Sequence, residues 1–152
     1  MCCEPVLRLP EPFGRASGAD VRHVDLDPVA PSVGLARAFV GNVLGDLPRD
    51  DLDIAVLLTS ELVTNAILHT RTPVQVGVVA ADDEVLVCVG DRLADGPPLV
   101  PRPPSGDRPG GRGLALVNQL ADAWGTTTYT EGKTVWFVLR RPVEQVSPTP
   151  AG

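Results

Sequence analysis

The chain has 152 residues, 43% of them apolar and 21% charged, which suits one globular domain and is too apolar for a disordered chain. A formal net charge of −6 supplies no global basic field for nucleic acid or for an anionic membrane surface. The apolar stretches are strand-sized, short of the roughly 20 residues that cross a bilayer, and the first 20 residues hold Pro and acidic groups in place of an apolar signal core. A cytoplasmic protein is expected. Cys2 and Cys3 are adjacent and Cys88 lies in an apolar run, so neither a disulfide framework nor a zinc spacing follows.

Residues 1–19, with three prolines and two glycines, are expected to form a loose arm, and 142–152 a similar tail, leaving 20–141 as the domain. Val21 to Leu26 reads as a first strand. Asp27-Pro28 offers a cap and a first-turn proline for a helix to about Leu44, whose Val29, Val33, Ala36 and Val40 recur at three- and four-residue intervals. Gly45 and Pro48 break it. A second helix, capped at Asp50 or Asp51, carries Ile54, Leu58, Leu62 and Ala66 on one stripe and should end near Thr70, before Pro73.

Two β-branched runs follow, Val74 to Ala80 and Val85 to Val89, joined as a hairpin through residues 81–84. Arg92 to Gly113 reads as a long loop, with six prolines between Pro97 and Pro109 and glycines at 96, 106, 110, 111 and 113. A third helix is predicted from about Arg112 to Trp124, stopped by Gly125, and then a hairpin of Thr126 to Thr130 and Lys133 to Leu139, turned at Glu131-Gly132. The order β-α-α-β-β-loop-α-β-β predicts an α+β fold, a two-layer α/β sandwich whose mixed, mostly antiparallel sheet is covered by helices on one face.

Chemistry gathers in three places. Glu61, Asn65 and His69 are four residues apart, each about 40° further around the second helix, and form one polar stripe. A carboxylate one turn from an amide oxygen can hold hydrated Mg²⁺ and orient a nucleophile, although a solvated helix face would look the same. Asp91 ends the third predicted strand where the chain leaves the sheet, and there a carboxylate can accept from the exocyclic amine of a purine. Gly110-Gly111-Arg112-Gly113-Leu114 leads into a helix, where backbone amides can approach an anion. Neither a P-loop nor a dinucleotide-binding glycine pattern is present.

Ser60-Glu61-Leu62-Val63-Thr64-Asn65-Ala66-Ile67-Leu68-His69 resembles the N box of the GHKL ATP-binding fold, in the form found in anti-sigma-factor serine kinases of the RsbW and SpoIIAB type. Asp91 falls where the first glycine box has its aspartate, Gly111 to Val117 resembles the second glycine box, and Gly132-Lys133-Thr134-Val135-Trp136 is similar to the closing strand. This resemblance spans about residues 21–140. It implies that ATP and Mg²⁺ are the cofactors, that Asn65 ligates the metal, that Glu61 is the general base on a serine hydroxyl, and that Asp91 reads adenine. It further implies that Gly111, Arg112, Gly113 and Leu114 serve the phosphates, that Thr134 lies near adenine, and that residues 92–110 form the ATP lid. His69 is expected to pack behind the site.

The implied protein is a homodimeric serine/threonine kinase acting as an anti-sigma factor. Its partners would be a sigma factor and a STAS-type anti-sigma-factor antagonist, with no direct contact to nucleic acid or membrane. One departure from the pattern is Leu93, which stands where the first glycine box usually has glycine. An ATP-gated binding module without catalysis is therefore the alternative. Histidine-kinase phosphotransfer is not expected, because no helix pair bearing a phospho-acceptor histidine precedes the domain in this sequence.

Overall fold

The computed structural model describes residues 21–81, 83–93, 113–130 and 132–140. In chain order they form β1 (Val21–Leu26), α1 (Ser32–Val43), α2 (Arg49–Thr70), β2 (Val74–Ala80), β3 (Glu84–Asp91), α3 (Gly113–Leu120), β4 (Ala123–Tyr129) and β5 (Gly132–Arg140). The five strands make one sheet in the order β1-β2-β3-β5-β4. Every pairing among them is antiparallel, where the sequence left room for a mixed sheet.

Side-chain alternation along the strands decides which residues meet the helices. Val76 and Val78 of β2, Val85, Val87 and Val89 of β3, and Val135, Phe137 and Leu139 of β5 point to one face. There they pack with Leu58, Leu62 and Val63 of α2, Ala36 and Val40 of α1, and Val117 of α3. The α2 helix lies between α1 and α3 and reaches β2, β3 and β5. By length and composition it falls within the range of a membrane-crossing helix, longer than the apolar stretches read from sequence. About a third of that stretch is buried, with Ala55, Leu58, Leu62 and Val63 in the core. On the opposite face Val79, Leu86, Cys88 and Val138 form a second buried cluster with Trp136 and Ala123 against it. Burial pushes the Cys88 thiol up to about 12, which keeps it protonated and unreactive.

The predicted elements are all present; β3 and β5 extend one or two residues beyond their predicted ends, and three helix boundaries shift. α1 begins at Ser32, because Pro31 disfavours helical geometry at the residue before it. The chain turns instead over 27–31, where the Asp27 carbonyl accepts from the Val29 N–H (2.8 Å) and the Ser32 hydroxyl (2.7 Å). α2 starts directly after Pro48, so Asp50 and Asp51 sit in the first turn, where the helix dipole favours acidic groups.

The third shift is the largest. α3 stops at Leu120, and Trp124 and Gly125 belong to β4, in register with Phe137 and Trp136. The Asp122 N–H donates to the Val138 carbonyl (2.9 Å), which pulls the chain into the sheet. Gly125 is required there by packing, since a Cβ would lie 2.6 Å from the Trp136 ring.

Candidate nucleotide-binding site

A cleft opens between the C-terminal half of α2 and the ends of β3 and β5. Leu62, Asn65, Ala66, His69 and Thr70 form its helical wall, and Val89, Asp91, Lys133 and Val135 its sheet wall. The helical residues recur at three- and four-residue steps, so one stripe of α2 faces the cavity. β3 pairs with β5 so that Asp91 lies directly opposite Lys133.

Asn65 is 3% exposed, and its Oδ1 has no hydrogen-bond partner among the described residues. A buried amide oxygen left unpaired costs about 1–3 kcal/mol, so this atom is held ready for a ligand that replaces water. Among the described residues no group of three His, Cys, Asp or Glu gathers. The Asn65 amide oxygen is a donor of the kind Mg²⁺ takes, which is commonly held by one or two protein oxygens together with water and phosphate.

Asp91 is equally buried, at 3% exposure. Burial raises its pKa, opposed by the backbone amides of Leu93 and Lys133 and by the Lys133 ammonium. The Leu93 N–H reaches Asp91 Oδ1 at 2.9 Å, and Lys133 Nζ lies 3.9 Å from Oδ2. A chain of hydroxyls fixes this corner to α2. Thr70 donates to the Ala66 carbonyl (2.8 Å) and meets the Thr72 hydroxyl at 3.0 Å, and Thr72 Oγ1 accepts from the Arg92 N–H at 3.0 Å.

A family model described as the histidine kinase-like ATPase domain matches residues 28–139. The chain belongs to this family. No curated protein matches it. The match bears out the resemblance at the level of the GHKL superfamily, and it supports ATP as the ligand of this domain.

The predicted site residues fare differently in this ATPase domain. Asn65 and Asp91 come together on opposite walls of the cavity. Glu61, partly exposed, lies one turn before Asn65 on the same stripe and outside the set that lines the cavity. His69, expected to pack behind the site, is exposed and lines it. Gly111 and Arg112, and the lid from 94 to 110, lie outside the described residues, while Gly113 and Leu114 open α3.

Thr134 requires a correction. Strand alternation puts Lys133 and Val135 on the cavity side, so Thr134 between them faces the other side of the sheet and does not line the cavity. Lys133 was missed for the same reason. From Val135 to Leu139 the strand is apolar throughout, and no alternation in the sequence marks the inward face. Gly132 is needed by close approach, since a Cβ there would collide with the Asp91 carbonyl oxygen.

Proposed function

We propose that this domain is an ATP- and Mg²⁺-dependent serine/threonine protein kinase that acts as an anti-sigma factor in the cytoplasm. It would phosphorylate a STAS-type antagonist and, when free of it, hold a sigma factor as a homodimer. The observation that carries the reading is the buried Oδ1 of Asn65, unpartnered among the described residues, facing Asp91 across one cavity. Asp91 accepts from the exocyclic amine of adenine, which fixes the base end of the nucleotide. Asn65 Oδ1 at the other wall would hold Mg²⁺, which supplies charge neutralisation on the phosphates. Glu61 accepts the proton of the substrate serine as its oxygen bonds to the γ-phosphorus and ADP leaves with the β–γ bridging oxygen.

The experiment has two stages. Calorimetric titration with ATP, with and without Mg²⁺, should show binding whose Mg²⁺ dependence disappears in Asn65→Ala. Incubation with γ-labelled ATP and candidate antagonists should then give a phosphoserine or phosphothreonine product that Glu61→Ala abolishes while still binding ATP. Absence of ATP binding by the wild type at millimolar concentration would defeat the proposal.

Glu61 lies outside the cavity lining, and Leu93 replaces a glycine of the nucleotide-binding pattern. These two observations favour a second reading, an ATP-gated binding module without catalysis. In that case ATP changes partner affinity equally in wild type and Glu61→Ala, and no phosphorylated product forms.

A further inference from the structure

Lys133 is a charged side chain with about 4% exposure, a state that lysine reaches only when something pairs with it. Its ion-pair partner among the described residues is Asp91, and the separation of 3.9 Å is beyond hydrogen-bond reach. The ammonium therefore does not spend its donors on that carboxylate, and it lines the same cavity. The Asp91–Lys133 register, fixed by the β3–β5 ladder, sets an acceptor-only group and a donor-only group side by side on the sheet wall.

We propose that Lys133 is a specificity-determining residue for the base, donating to N1 of adenine while Asp91 accepts from the amine at C6. This rests on the reading of the cavity as an ATP site. Adenine presents a donor at C6 beside an acceptor at N1, the complement of an acceptor beside a donor. Guanine in the same orientation sets O6 against the carboxylate and N1–H against the ammonium, so both contacts become repulsive in a site with little water to relieve them. Asp91 alone checks one atom of the base. The pair checks two, and the second check comes from a residue on a different strand.

The test is equilibrium binding of the wild-type protein to four Mg²⁺-nucleotides: ATP, GTP, 1-deaza-ATP, in which N1 is a C–H, and purine riboside triphosphate, which lacks the C6 amine. The expected result is ATP binding with GTP weakest, and a loss of about tenfold or more for each of the other two analogues. Equal affinity for ATP and 1-deaza-ATP overturns the role of Lys133. If purine riboside triphosphate is still discriminated in that case, the reading of Asp91 survives without it. Failure to bind any of the four overturns both.

Lys133→Met should bind ATP and 1-deaza-ATP alike, at the level the wild type shows for 1-deaza-ATP, and Lys133→Arg should restore the preference. A parallel loss for both nucleotides in Lys133→Met, with the preference kept, marks a structural role and overturns the proposal. The analogue comparison on the wild type needs no variant, so it decides even where Lys133→Met folds poorly.

Discussion

The Arg92 backbone N–H donates to Thr72 Oγ1 over 3.0 Å, tying the strand end that carries Asp91 to the turn that follows α2. Thr72 also meets Thr70, which bonds back to Ala66 on the cavity wall. These hydroxyls add to the apolar packing of Leu62 with Val89 and Val135 in holding the two walls of the site together. Thr72→Val should lower stability by about 1 kcal/mol, the net worth of a hydrogen bond, and weaken ATP binding severalfold. Thr72→Ser should keep both, and urea unfolding with calorimetry on the two variants checks it.

Asn65 carries a cost in the free protein, because its Oδ1 is buried without a partner among the described residues. Asn65→Ala should leave stability within about 1 kcal/mol of wild type, since the lost packing is offset by removal of the unsatisfied oxygen. The Mg²⁺ dependence of nucleotide binding should nevertheless vanish. A stability loss much above 2 kcal/mol in thermal unfolding would assign Asn65 to the fold instead.

Asp91 sets a pH dependence whose sign follows from its burial. Because its pKa is raised in the folded state, that state binds the proton more tightly than the unfolded chain, whose carboxyl titrates near about 3.9. Its contribution to stability is full below that value and is lost as pH rises through the raised folded pKa. Wild type should therefore gain stability relative to Asp91→Asn as pH falls from neutral, measured by urea unfolding at stepped pH. ATP affinity should move the opposite way, because the ionised carboxylate is the better acceptor for the adenine amine.

Gly132 allows no side chain. Its φ of 158° and the collision of any Cβ with the Asp91 carbonyl oxygen mean that β5 must shift away from β3 to accommodate one. Gly132→Ala should cost about 2–4 kcal/mol and weaken nucleotide binding beyond what the lost stability explains, because the displaced strand end carries Lys133. Thermal unfolding and titration of the same preparation separate the two effects.

The sequence spoke clearly where one physical signal acted alone. Val21–Leu26 and Val74–Ala80 were legible to the residue from β-branched runs between turn residues. The period of α2 placed Asn65 and His69 on one stripe, and the end of a strand placed Asp91. It misled where two signals competed. Trp124 and Gly125 read as a helix end and its stop, yet pairing with β5 claims both for the sheet. Thr134 and Lys133 differ by one position, and a one-residue uncertainty in a strand sends a side chain to the opposite face. The orphaned oxygen of Asn65 depends on what packs around it and leaves no mark in the sequence.

The pairing of β3 with β5 also bears on how the protein reaches its working form. Asp91 and Lys133 are separated by about 40 residues of chain, and β1 reaches β2 only across α1 and α2, so of these three ladders β2–β3 alone closes as a local hairpin. Closing a long interval loses more entropy than closing the β2–β3 hairpin, and non-local ladders form slowly. The base pocket therefore exists only once a non-local ladder, β3 with β5, has formed. On refolding, recovery of ATP binding should trail recovery of helical circular dichroism.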